Sequence, residues 1–154
     1  MNFQLHLDKE TVKHTRPLEP LTVSTETSVR DVFGLLREHG RGCVIVCRKE
    51  EVAGIFTERD ALKCMASGAN LNVPIEQYMS SRPTTLSEED TVAVAITKMS
   101  KGGFRRLPIV KEGKCPVGLL KVSTILRYLV QHFPRYVYNL PPNPNQTTQA
   151  REGA

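Results

Sequence analysis

The sequence predicts an α/β protein made of two β-α-β-β-α repeats packed on one another, and three observations carry that expectation. The first is an internal repeat. TVSTETSVRDVFGLLREHGRGCVIVCRKEEVAGIFTERDALKCM, from Thr22 to Met65, is echoed by TLSEEDTVAVAITKMSKGGFRRLPIVKEGKCPVGLLKVSTILRYL, from Thr85 to Leu129. Thr22-Val23-Ser24 matches Thr85-Leu86-Ser87, Gly40 matches Gly103, and Gly54 matches Gly118 after one inserted residue. The second is that short apolar runs alternate with stretches of helical period inside each copy. The third is size: 154 residues with 40% hydrophobic content suit one compact core, whereas either copy alone has too little to bury.

In the first copy, Thr22 opens a short strand. Ser28 is a good helix cap ahead of Val29, Val32, Leu35 and Leu36, which recur at helical spacing. Gly40 ends that helix because glycine tolerates a left-handed backbone. The apolar run Val44–Cys47 predicts a buried strand, Arg48–Glu51 a charged turn, and Val52–Thr57 the next strand. A helix from about Glu58 is expected to bury Ala61, Leu62 and Met65. The second copy follows suit: an acidic helix start at Glu88–Asp90, an apolar stripe of Val92, Ala95, Ile96 and Met99, strands at Leu107–Val110 and Val117–Lys121, and a last helix lined by Ile125, Leu126 and Leu129.

The domain reading is an N-terminal extension over 1–16, repeat one over 17–73, repeat two over 74–133 and a tail over 134–154. Within the join, Pro74–Met79 is expected to make a short helix, proline being well suited to a first turn. Phe3, Leu5 and Leu7 alternate, as an extra strand or a short helix would require. The tail, with Pro141, Pro142, Pro144 and the run NQTTQAREGA, predicts disorder beyond about Leu140.

Composition excludes several classes. No apolar run approaches the roughly 20 residues needed to span a bilayer, and the N-terminus lacks the basic start and apolar stretch of a secretion signal. Cys43, Cys47, Cys64 and Cys115 form no CxxC pair, so a zinc site is not indicated. Cysteines inside an apolar run such as CVIVC behave as small hydrophobes, and free thiols fit a reducing cytoplasm. The formal charge of +5 is spread along the chain. Without a polybasic run or a recognition-helix pattern, it points to a phosphate-bearing small ligand ahead of nucleic acid. His6, His14, His39 and His132 have no neighbouring nucleophile or metal-ligand spacing, so no enzymatic activity is expected.

The run Gly54-Ile55-Phe56-Thr57-Glu58-Arg59-Asp60 leaves a strand at Thr57 and enters a helix by Asp60. A carboxylate accepts from two hydroxyls at once, as the vicinal hydroxyls of ribose require. A threonine at a strand end donates to phosphate, and the amides of a helix N-terminus add donors and partial positive charge. Gly54 allows a flat base to approach the backbone. Read alone, Thr57 and Asp60 are also ordinary capping residues; the repeat around them is what adds weight.

The repeat, the TVS-type first strand and the GIFTERD run resemble paired CBS (cystathionine-β-synthase-type) domains over about residues 17–133. The resemblance implies two β-α-β-β-α units packed through their sheets about a pseudo-twofold axis, with two clefts between them. It implies a non-catalytic regulatory module that binds AMP, ADP, ATP or S-adenosylmethionine, requires no cofactor, acts on an unknown partner protein and assembles as a homodimer. Thr57 and Asp60 match the family's phosphate and ribose residues, with Arg59 beside them. Pro20, Leu21, Arg41, Gly54 and Ile55 fall on the base side. Arg105 and Arg106, in the run Phe104-Arg105-Arg106-Leu107-Pro108, match residues that reach phosphates, a role for which guanidinium forks are suited. The second copy departs from the pattern: Lys121 stands where Ser or Thr belongs and Thr124 where Asp belongs. One competent site around Asp60 and one degenerate site are therefore expected. A ligand-free interaction module and a weak nucleic-acid binder are the alternatives.

Overall fold

The computed structural model of the chain describes residues 7–132; the expectations for Phe3 and Leu5 and for the tail from residue 134 lie outside them. Two sheets and four α-helices follow the order of the repeat. In the first half, β1 (Thr22–Ser24) runs parallel to β2 (Cys43–Arg48), and β2 pairs antiparallel with β3 (Glu51–Thr57). A short β4 (Ser80–Ser81) then pairs antiparallel with β3 and completes a sheet of order β1-β2-β3-β4. In the second half, β5 (Leu86–Ser87), β6 (Arg106–Lys111) and β7 (Cys115–Lys121) repeat the parallel and antiparallel pairings in a three-stranded sheet.

The helices start and stop where the chemistry directs. The Ser28 hydroxyl accepts the Asp31 N–H at 3.1 Å and caps α1 (Val29–His39), and Gly40 ends it at φ 59°. Thr91 caps α3 (Val92–Gly102) through the Val94 N–H at 3.2 Å, and Gly103 ends it at φ 66°. The expected start at Glu88–Asp90 is thus one turn early: Asp90 instead accepts the Ser87 N–H at 2.9 Å, in the turn between β5 and the helix. The remaining helices are α2 (Glu58–Ala66) and α4 (Val122–His132), and Val12–Thr15, in the N-terminal extension, and Ile75–Gln77 make short 3-10 helices.

The segment leading into each copy packs on the other copy. Val29 N–H donates to Val73 O (3.0 Å) and Ile75 N–H to Thr27 O (2.7 Å), tying the join to the first half. Reciprocally, Val12 N–H donates to Asp90 O (2.8 Å) and Val92 N–H to Glu10 O (2.7 Å), tying residues 10–12 to the second half. Leu18 bridges Leu119 as β4 pairs with β3. The exchange is symmetric, and it makes the two copies one unit.

Three apolar clusters result. Val23, Val29, Val32, Val44, Val46, Phe56 and Ile75 fill the first half under its helices; Leu86, Val92, Ala95, Leu107, Ile109, Leu120 and Ile125 fill the second. Cys43, Ile45, Ile55 and Leu119 form the seam where the sheets face each other, with Leu18, Cys47 and Val52 packed against it. Three helix faces differ from expectation. On α2, Leu62 and Met65 are 63% and 59% exposed, while Asp60 and Cys64 point inward. On α4, Leu126 is 57% exposed and Tyr128 takes the buried place; Ile96 of α3 is likewise exposed.

Candidate functional site

Thr57 is both the last residue of β3 and the cap of α2, so the strand-to-helix corner fixes its position. A capping box joins it to Asp60. Asp60 Oδ2 accepts from the Thr57 N–H at 3.0 Å and from the Thr57 hydroxyl at 3.2 Å. Asp60 is only 9% exposed. The other oxygen, Oδ1, accepts from Ser80 Oγ at 3.5 Å, the limit of a useful hydrogen bond. Of the two oxygens, Oδ1 is the one held loosely enough to exchange its partner for a ligand hydroxyl. Ser80 comes from β4, and no sequence signal marked it.

Gly54 pairs with Ser81 of β4. A methyl group there would overlap the Met79 thioether and stand 2.9 Å from the Ser80 carbonyl oxygen. The glycine therefore makes room for β4. Ile55 is buried in the seam between the sheets. Pro20 and Leu21 are half-buried at the entry to β1, and the Leu21 carbonyl accepts the Ile45 N–H at 2.8 Å. Arg41 folds onto the same segment, donating from Nη2 to the Glu19 carbonyl at 2.8 Å. Arg59 and Arg105 are exposed.

Arg106 reaches from the second copy to the first. A methyl group on Gly42 would lie 2.7 Å from Arg106 Nη2 and 2.7 Å from Glu58 Oε1, so the guanidinium and the first side chain of α2 meet over this glycine. Gly42 O in turn accepts the Glu58 N–H at 3.0 Å. The second copy repeats the corner, with Val122 N–H donating to Arg105 O at 3.0 Å. Cys43 pairs with Thr57 in one sheet and Arg106 with Lys121 in the other. Burial pushes the Cys43 thiol above its ordinary range; Arg106, Arg41 and Lys121 pull against that, and Glu58 adds to it. Arg41 of the first copy and Arg106 and Lys121 of the second thus lie near one end of the seam together with Glu58. In the second copy the matching corner carries Lys121 and a fully buried Thr124, with no carboxylate. A groove of ≈ 590 Å³ lies elsewhere, along α3 between Val94, Lys98, Lys101 and Phe104, and contains none of the expected ligand residues.

The architecture and this corner define a class of protein: a tandem of β-α-β-β-α units whose strand-to-helix turns face a shared seam. The CBS domain family model matches twice, at residues 12–67 and 75–131, and the chain belongs to that family. It is 30% identical over 109 residues to an uncharacterised 17.7 kDa protein of Acidianus ambivalens, covering 70% of this chain and 66% of that one. It is 38% identical over 112 residues to an uncharacterised protein of Methanopyrus kandleri, covering 69% and 57%. The match thus spans less than two-thirds of either relative. Among solved structures, the CBS domain protein PAE2072 from Pyrobaculum aerophilum, complexed with AMP, superposes with a TM-score of 0.71 at 22% identity, covering 79% of this chain and 96% of that one. The CBS domain pair of protein MJ0100, in complex with 5-methylthioadenosine and S-adenosyl-L-methionine, gives 0.70 at 24% identity, covering 76% and 97%. At these identities the likeness establishes the fold. No helix among the described residues is long and apolar enough to cross a membrane.

Proposed function

We propose that this chain is a non-catalytic, cytoplasmic regulatory module that binds one adenine nucleotide between its two copies and signals to a partner protein. The observation that carries the reading is that Arg106 of the second copy meets Glu58 over Gly42 of the first, at the start of the helix that Thr57 and Asp60 cap. A ribose hydroxyl would replace Ser80 on Asp60 Oδ1, and phosphates would face Arg106, with Arg41 and Lys121 nearby. The base would lie toward Pro20 and Leu21. Arg106, Arg41 and Lys121, set against the one carboxylate of Glu58, favour AMP, ADP or ATP over S-adenosylmethionine, whose sulfonium is itself positive. Binding of AMP and of S-adenosylmethionine by proteins of the same fold supports an adenine-containing ligand. Exposed Leu62 and Met65 on α2 and Leu126 on α4 support a homodimer formed through these helix faces.

Calorimetric titration of the chain with AMP, ATP and S-adenosylmethionine tests the proposal. The expected result is about one nucleotide per chain, because only the first copy offers a carboxylate, with phosphorylated ligands bound more tightly than S-adenosylmethionine. Absence of binding by all three would leave an interaction module with an empty cleft. Two equivalent sites would overturn the reading of Lys121 and Thr124.

A further inference from the structure

Cys47 and Cys115 come from different copies and meet at the far end of the seam from Thr57. Cys47 lies near the end of β2, opposite Val52 in the β2–β3 ladder. Val52 N–H donates to the Lys114 carbonyl at 3.0 Å, and Lys114 Nζ pairs with Glu51 Oε1 at 3.3 Å. These two contacts hold the start of β7, and with it Cys115, against the β2–β3 hairpin. Both cysteines line one cleft of ≈ 560 Å³, together with Ser24, Lys49 and Pro116. Cys115 is exposed and Cys47 half-buried, whereas Cys43 and Cys64 are buried. The repeat does not generate the pair: the equivalent positions in the opposite copies are Val110 and Glu51.

The geometry points to Cys47 and Cys115 as a redox-active pair that closes reversibly into a disulfide linking the two copies, with a glutathione-class disulfide as oxidant. The Cys115 thiolate, accessible from solvent, attacks one sulfur of the oxidant. A mixed disulfide forms on Cys115 and one glutathione thiolate leaves. The Cys47 thiolate then attacks Cys115 Sγ, forming the Cys47–Cys115 bond and expelling the second glutathione. The two protein thiols are oxidised, their two protons pass through solvent to the two released glutathione thiolates, and one glutathione disulfide is thereby reduced to two thiols. The order follows from the surroundings: burial, then the neighbouring Cys115, raise the Cys47 thiol above its ordinary range, which leaves Cys115 as the first nucleophile. The bridge would fasten together two sheets otherwise joined at this end by a backbone hydrogen bond and an exposed ion pair.

The test uses the full chain, treated with glutathione disulfide at a dilution that limits contact between chains, and read by intact mass and peptide mapping. The expected product is a chain lighter by two hydrogens, with Cys47 and Cys115 in one cross-linked peptide that dithiothreitol releases. Cys47→Ser should trap one glutathione on Cys115, and Cys115→Ser should take up neither adduct nor cross-link. Cys43→Ser and Cys64→Ser should behave as the parent. A parent chain that accumulates glutathione on Cys115 with Cys47 still reduced, that links chains through Cys115, or that stays unmodified would overturn the proposal.

Discussion

Asp60 is where the structure converts a ligand proposal into numbers. Its Oδ2 holds the start of α2 through Thr57, and its Oδ1 has one long contact from Ser80. Asp60→Ala removes both functions. Loss of the cap costs about 1 kcal/mol, which a domain stabilised by about 5–15 kcal/mol survives. Loss of hydrogen bonds from ribose to a charged acceptor costs about 1.5–3 kcal/mol, which raises the AMP dissociation constant roughly 10- to 150-fold at about 1.4 kcal/mol per decade. Asp60→Asn separates the two effects. Its amide oxygen still accepts the Thr57 N–H, so the helix start is kept, but the negative acceptor for ribose is gone and binding weakens roughly 10-fold, the lower end of that range. The assay is titration of parent and both variants with AMP and adenosine, with circular dichroism and thermal melts alongside. Both ligands carry the ribose, so both should lose affinity together. A folded Asp60→Asn and a folded Asp60→Ala that bind AMP as tightly as the parent would show that the ribose lies elsewhere.

Two further expectations use other parts of the structure. Gly42→Ala places a methyl group against Arg106 Nη2 and Glu58 Oε1; both are ends of flexible side chains, so the fold should hold while the guanidinium moves. AMP affinity then falls about 10-fold or more, as in Arg106→Ala, with adenosine affinity unchanged; equal losses for the two ligands would remove Arg106 from the phosphate site. Burial, then the hydrogen bond to Glu10 Oε2 at 2.8 Å, push the Tyr128 hydroxyl from 10.0 to about 12. A group whose ionisation is suppressed in the folded chain leaves stability intact below its unfolded value and erodes it as pH rises toward its folded value, here between about 10 and 12. Urea unfolding of parent and Tyr128→Phe across that range should show their stability gap narrowing, and a constant gap would refute the assignment.

The repeat was legible because its signals are local. CVIVC and LPIV are continuous apolar runs, Ser28 and Gly40 bracket a helix, and the structure places strands and a helix there. What the sequence hid depends on contacts between distant segments. β4 is two exposed serines with no apolar pattern; it exists because β3 offers an unpaired edge and Gly54 leaves room for Met79. The inward face of α2 was misread because aspartate normally signals solvent. Asp60 turns inward because Thr57 and Ser80 meet its carboxylate, and Leu62 and Met65 are rotated outward as a consequence. On α4 the same competition gave the buried place to Tyr128, whose hydroxyl finds Glu10, over Leu126. Thr57 and Asp60 could be picked out from their spacing, but Ser80 and Gly42 matter only through what the fold brings against them.

The pseudo-twofold axis duplicates the backbone and leaves the side chains free to diverge, and the divergence follows a pattern. Where the first copy has Thr57 and Asp60, the second has Lys121 and Thr124; where the second has Arg106, the first has Cys43. Hydroxyl and carboxylate are thus concentrated on one copy, while the other sends its cation across the seam. Two equal sites would each need both sets, and this chain holds one set in total. A ligand with ribose at one end and phosphate at the other would be completed only by both copies together, so its binding energy would depend on how they are apposed. That dependence would give the proposed regulatory module something to transmit: any partner that reads the spacing of the two halves would also read ligand occupancy.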